Sequence, residues 1–265
     1  MYASNYFEEK IINLMRGQSI TAPASVYLAL FLSNPGDTGS GGTEVSYTGY
    51  VRQAITFSAP AAQSGVANGM VLANQNVVTF PESTSSGSFT VQYVAVFDSL
   101  TGGNMYLYGQ LDSPLVIQSG VSPVFRAGSI QWIWSGSLST YYKTATMNVL
   151  RGTQCSGFSP YLAYFDSNPS SGGAEIQADD YTRTAVTMSE PIQQTSGSGA
   201  ALSQNTALAM TPNAASNWGN VSYVGIMDAQ TAGNAFAVIS LGATYTANTG
   251  VSIGFKAGDL KFSIN

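Results

Sequence analysis

Histidine is absent from the 265-residue chain, cysteine occurs once, and charged side chains make up only 9% of it. The first absence removes the commonest general base, every Ser–His or Cys–His nucleophile, and most zinc and transition-metal sites. With one cysteine, Cys155, no intramolecular disulfide can form, which fits folding in a reducing cytoplasm. The side chain itself reads as a small buried hydrophobe, not a reactive thiol. Lys and Arg number nine against fourteen acids, and they are scattered, so no basic stripe exists to neutralise a phosphate backbone and nucleic-acid binding is not expected. Apolar runs fall short of the roughly 20 residues of a membrane-spanning helix. The opening MYASNYFEEKIINLMRG carries acids where a secretion signal needs bases. It reads as the start of a cytoplasmically made protein with no membrane partner.

What is present is apolar and polar-neutral. Hydrophobic residues are 44% of the chain, so a packed core is expected, while the charged fraction is far below the roughly 25% of an average soluble protein. Such a weakly charged surface, built of Gly, Ser, Thr, Asn and Gln, tolerates being covered, as in a subunit of an assembly.

The strongest signal is internal repetition. YLALFLSNP (Tyr27 to Pro35) returns as YLAYFDSNP (Tyr161 to Pro169), identical at seven of nine positions. LMRG at Leu14 answers to VLRG at Val149, and EVSYTGYVRQAITF at Glu44 answers to EIQADDYTRTAVTM at Glu175. VQYVAVFDSLTGGN at Val91 answers to VSYVGIMDAQTAGN at Val221, and GVSPVFRAGSIQW at Gly120 to GVSIGFKAGDLKF at Gly250. The offset drifts from 135 to 130, as happens when loops lose residues and strands do not. A period this long means tandem domains and not a solenoid. The expected division is 1–136 for the first domain and 137–265 for its divergent copy.

Within one copy, Phe7, Ile11, Ile12 and Leu14 fall at helical spacing, with Ser4 or Asn5 as cap and Gly17 as stop. The matching STYYKTATMNVLRG is richer in Thr and Tyr and is a weaker helix former. The remainder reads as short strands: SVYLALFLS, YVRQAITF, NVVTFP, FTVQYVAVFD, NMYLYGQL, SPLVI and SIQWIW, separated by Gly- and Asn-rich turns. The fold expected is therefore all-β: two tandem β-sandwich or Greek-key barrel domains, the first opening on a short N-terminal helix. SLTGGN and AQTAGN read as hairpin loops, with Asp98 and Asp228 capping them through backbone N–H groups.

Chemistry is hard to find. No Gly-Lys-Ser/Thr phosphate loop or dinucleotide fingerprint occurs. A glycosidase needs only two carboxylates, and the candidates are Glu44 and Glu175 or the adjacent pair Asp179 and Asp180. The latter pair faces Thr48 and Gly49 in the other copy, so no paired acid site is shared by both. Trp132, Trp134 and Trp218 read as core or interface aromatics, and GDTGSGGTE as a flexible loop instead of a calcium site. No catalytic residue, cofactor or metal is expected. The charges present in both copies, Arg16 and Arg151, Arg52 and Arg183, Glu44 and Glu175, are read first as supports of the fold, through loop carbonyls or a carboxylate. Candidate interface or fold-supporting residues are Arg52 and Arg183 and the aromatics near each start, Tyr6, Phe7, Tyr141 and Tyr142.

The unit from Tyr27 to Phe57, with its aliphatic–aromatic strand, Asn-Pro, Gly-rich loop, Glu-Val and Tyr-x-Arg-Gln-x-x-x-Phe, resembles small structural proteins of tailed bacteriophages, commonly labelled phage tail fibre or virion proteins. VQYVAVFDSLTGGNMYLYGQL is similar to the second half of that family. The second copy departs from the pattern at Thr184 and Met188 and has a shorter Gly loop. The resemblance implies a non-enzymatic virion protein made in the host bacterial cytoplasm, present in many symmetric copies against other virion proteins, the major capsid protein or tail proteins. With two compact copies and no shaft-like repeat, the expected role is a capsid decoration or cement protein clamping neighbouring subunits. The alternative is a tail fibre or tail-tip protein in host attachment.

Overall fold

The computed structural model describes residues 1–136, 138–169, 172–193, 201–207, 209–210 and 215–264. Ser137, where the expected boundary falls, and Ser170 and Ser171 of the second Gly-rich loop lie outside them.

The first repeat begins with β1 (Tyr2–Ala3) and α1 (Asn5–Asn13), followed by a 3-10 turn over Leu14–Arg16. The Ser4 hydroxyl caps α1 by accepting from Phe7 N at 3.3 Å, and Gly17, at φ +77°, ends the turn in the left-handed region that a side chain would oppose. Strands follow: β2 (Val26–Phe31), β3 (Gln53–Ile55), β4 (Ala61–Ala62), β5 (Met70–Ala73), β6 (Val78–Thr79), β7 (Phe89–Phe97), β8 (Met105–Ile117), β9 (Val124–Phe125) and β10 (Gln131–Trp134). The second repeat supplies α2 (Thr140–Val149), β11 (Tyr161–Phe165), β12 (Thr184–Ala185), β13 (Ile192–Gln193), β14 (Ala201–Gln204), β15 (Ala209–Met210), β16 (Gly219–Met227), β17 (Ala235–Ala247), β18 (Gly254–Phe255) and β19 (Lys261–Ile264). The fold is all-β with two short helices.

The sheets repeat with the sequence. A large antiparallel sheet, β1-β8-β7-β2-β3, is answered by β17-β16-β11-β12, where Leu138 bridges Ala237 as Ala3 pairs with Leu107. A small sheet, β10-β5-β4, is answered by β19-β14-β13, and the ribbon β6-β9 by β15-β18. Register shifts fall at matching places, between Val91 and Tyr93 and between Val221 and Tyr223.

Two local expectations are corrected, and a third, the weaker helix, is met in full. NMYLYGQL and SPLVI are one 13-residue strand, β8, because the bulged pairing with β7 carries the chain past Pro114. YVRQAITF contributes only the three residues of β3, since Phe57 leaves to bridge Asn74 in the other layer. The Thr- and Tyr-rich segment of the second repeat is a full helix, capped by the Ser139 hydroxyl on Tyr142 N at 3.2 Å.

Alternation on β2 shows how the layers fill. Leu28 and Leu30 face the main core, while Ala29 and Phe31 face outward with Ala95, Phe97 and Met105 beneath the Gly-rich loop. Among the described residues no sheet mixes strands of the two repeats, yet the buried side chains of both form one continuous cluster. The helices make that continuity. α1 packs on β8 of its own repeat and on β14 and β19 of the other, while α2 packs on its own β17 and on β5 of the first. Ile20 N donates to Cys155 O at 2.7 Å and Cys155 N donates to Ile20 O at 3.1 Å. These residues are equivalent at offset 135, so the two repeats face each other across an internal pseudo-twofold axis.

Candidate functional site

Each repeat ends its large sheet in a loop cluster tied by one arginine. Arg52 donates through Nε and Nη2 to the two oxygens of Glu44, both at 2.8 Å, and through Nη1 to the carbonyls of Ser99 (2.9 Å) and Gly102 (2.7 Å). Its guanidinium also lies 3.7 Å from the centre of the Phe97 ring. The Tyr50 hydroxyl donates to Glu44 Oε1 at 2.8 Å and accepts from Leu30 N at 3.1 Å. The second repeat rebuilds the constellation with Arg183, Glu175, Tyr181 and the carbonyls of Ala229 (2.7 Å) and Ala232 (2.5 Å). The bidentate Glu175 carboxylate holds the Arg183 pKa above its ordinary value. Every donor used here is spent inside its own repeat, so Arg52 and Arg183 fasten the hairpin loop to the Gly-rich segment.

Beside each clamp an aspartate closes the hairpin: Asn104 N donates to Asp98 Oδ1 and Asn234 N to Asp228 Oδ1, both at 2.7 Å. Asp228 also accepts from the Tyr142 hydroxyl at 3.0 Å, which ties α2 to its own sheet. Phe7 and Tyr142 are buried, Tyr6 is half-buried, and Tyr141 stands exposed. Phe7 packs on Tyr106 and Trp132, and Tyr142 on Phe158 and Phe236. Trp132 and Trp134 stack in the first repeat, and Trp218 donates to Asp180. Bonds from Ser216, Ala215 N and Trp218 pull the Asp180 carboxyl down to about 2. Among the described residues, no three of Cys, Asp and Glu gather closely enough to hold a metal ion.

Two residues that the sequence reading passed over hold the small sheets to the ribbons. Buried Asn74 donates to the carbonyls of Asn76 and Arg126 and accepts from Ile130 N. Buried Asn205 donates to Ala207 O and Lys256 O and accepts from Gly258 N and Leu260 N. The one signal in the sequence is that an Asn recurs at both positions, 131 residues apart; each directly follows the strand that pairs with the last strand of its repeat.

Across the repeat border the arginines at the helix ends act reciprocally. Asn13 orients Arg16, which reaches exposed Glu190 of the second repeat at 3.1 Å; Asn148 orients Arg151, whose Nε reaches Phe57 O of the first at 3.2 Å. Each arginine lines a groove that crosses the border. One, of about 340 Å³, runs along Val26 and Ala54–Phe57 to Arg151, and its counterpart, of about 500 Å³, along Tyr161 and Ala185–Met188 to Arg16. The two grooves are paired, each lined by a mixture of apolar and polar side chains.

The outer faces differ. In the first repeat the Gly-rich loop folds onto the large sheet: Asn5 N donates to Asp37 O at 3.0 Å, and the Tyr108 hydroxyl bonds the Asp37 carboxylate. In the second, the loop is three residues shorter, 10 from Ser167 to Ile176 against 13 from Ser33 to Val45, and Val238 stands where Tyr108 does. A cavity of about 300 Å³ opens there, lined by Leu138, Thr140, Pro169, Tyr223 and Val238.

One family model, described as Podophage GP4 fiber I protein gp80, matches the chain twice, over residues 2–133 and 137–263. No curated protein matches it.

Proposed function

Because the chain belongs to the Podophage GP4 fiber I protein gp80 family in both of its repeats, we propose that it is a bacteriophage fibre subunit that works by binding, without chemistry of its own. The family membership carries this reading. It favours the tail-fibre role over the capsid clamp that the compact, doubled architecture suggests by itself. Supporting it, the charged side chains shared at the two loop clusters satisfy one another: Arg52 with Glu44, Arg183 with Glu175, and the hairpin aspartates with their asparagines. Groups spent on holding loops are unavailable as acid, base or nucleophile.

In this reading the loop clusters that end the two large sheets are the contact surfaces. One meets other virion proteins in symmetric copies and the other faces outward, towards the host surface. Exposed Val51 and Leu100 flank the first clamp, whereas Thr182 and Gln230 take their places beside the second, where a cavity of about 380 Å³ opens. Two chemically different ends suit two different partners. Few charges are available, so binding at either end changes little with salt.

Cryo-electron microscopy of the particle, with and without the protein, tests the role. Density lost from the tail, together with loss of adsorption to the host cell, is the expected result. Density lost from the shell lattice with adsorption intact contradicts the fibre reading and returns the protein to capsid decoration.

A further inference from the structure

We propose that the surface joining the two repeats is also a docking surface for a second copy of this chain, reached by exchanging repeats. This inference stands on the geometry of the junction and does not need the fibre reading.

The junction is self-complementary. Ile20 and Cys155, equivalent residues, exchange both backbone hydrogen bonds. Each helix lies on the small sheet of the other repeat, α1 on β14 and β19 and α2 on β5. Both helices also make side-chain bonds across the border: Gln193 Nε2 donates to Glu9 on α1 at 2.9 Å, and Lys143 on α2 donates to Asn68 O at 2.7 Å. Backbones come close: a Cβ placed on Gly157 would stand 2.5 Å from Gln18 N. An isologous surface of this kind accepts any copy of its partner.

The repeats are joined covalently only by the segment from Trp134, which pairs with Met70 in the first repeat, to Leu138, which bridges Ala237 in the second. Its residues Ser135 and Gly136 are exposed. Among the described residues, nothing else in the junction requires the two repeats to share a chain. The first repeat of one molecule can therefore close on the second repeat of another, and the reverse pairing completes a dimer with two full junctions. Folding back within one chain wins in dilute solution, because a short link gives an effective concentration of about 1 mM. Exchange emerges when chains are crowded or when the link is too short to turn.

Two measurements on the full chain test this. Deleting Ser135–Ser137 should double the mass seen by light scattering, with native near-ultraviolet circular dichroism retained; a natively folded single-chain species would overturn the proposal. Should that variant fail to fold, the wild-type chain decides. Two differently tagged preparations are unfolded together in urea and refolded at rising concentration up to about 1 mM. The expected product is a mixed-tag dimer whose fraction rises with concentration and which does not form when the two folded preparations are mixed without urea. Single chains alone at every concentration, or an equal yield of mixed dimer from folded preparations never exposed to urea, overturn it.

Discussion

The first and second repeats share their ties and differ in their covers. Both keep an arginine on a bidentate glutamate and two loop carbonyls, a tyrosine bridging that glutamate to a strand amide, and a buried asparagine stapling small sheet to ribbon. What changed lies on the outside. The Gly-rich loop that caps the outer face of the first sheet is short in the second, and the clamp rim turns from Val51 and Leu100 to Thr182 and Gln230. One position at the border also changed its charge: buried Glu8 of α1 is matched by buried Lys143 of α2, held by the carbonyls of Asn68 and Gly136. The comparison teaches which parts the fold needs twice and which were released to serve one end only. Satisfied polar ties cannot drift without leaving a buried group unpaired, whereas a loop's length and a rim's polarity can.

High pH should abolish that whole shared framework. Burial raises the pKa of Tyr50, Tyr106 and Tyr108 in the first repeat and of Tyr142, Tyr164 and Tyr181 in the second. In the unfolded chain these phenols ionise near pH 10. Their stabilisation is therefore full below pH 10 and is lost as pH climbs past it, while Lys143, whose pKa burial lowers, works weakly the other way. Circular dichroism against pH should show both repeats unfolding together above pH 10. Next in size is Gly157→Val, which puts a side chain onto the backbone of Gly17 and Gln18; chemical denaturation should report a loss of about 3 kcal/mol or more. Arg52→Ala and Arg183→Ala each strip a partly buried glutamate of its partner and should cost about 3 kcal/mol. Equal losses would support equivalent clamps, and a near-neutral Arg183→Ala would break the comparison. Asn74→Ala and Asn205→Ala should follow at about 2 kcal/mol each. Smallest is Arg16→Ala, because its partner Glu190 is 83% exposed; about 0.5 kcal/mol is expected, vanishing in high salt.

The duplication, the all-β class and the first helix were legible because each rests on a local or periodic signal. Gly17 and Ser4 mark α1 from the residues alone. α2 was harder, since Thr and Tyr lower helix propensity and only burial of Tyr142, Thr146 and Met147 against both repeats makes up the difference. The pairing of Arg52 with Glu44 and of Arg183 with Glu175 was foreshadowed by their joint recurrence among so few charges. Asn74 and Asn205 were passed over because Asn is common in turns, and only the fold shows that these two are buried. The crossing of the helices over the border left no periodic trace, for a helix face reads alike whichever sheet covers it.

The central claim is that the two repeats, fastened through exchanged helices and the Ile20–Cys155 pairing, form one cooperative unit. Scanning calorimetry of the whole chain tests it most directly. The account predicts a single transition whose calorimetric and van't Hoff enthalpies agree, shifted as a whole to lower temperature by Gly157→Val. Two resolved transitions, or a Gly157→Val variant whose repeats melt at the unchanged wild-type temperature, would contradict it.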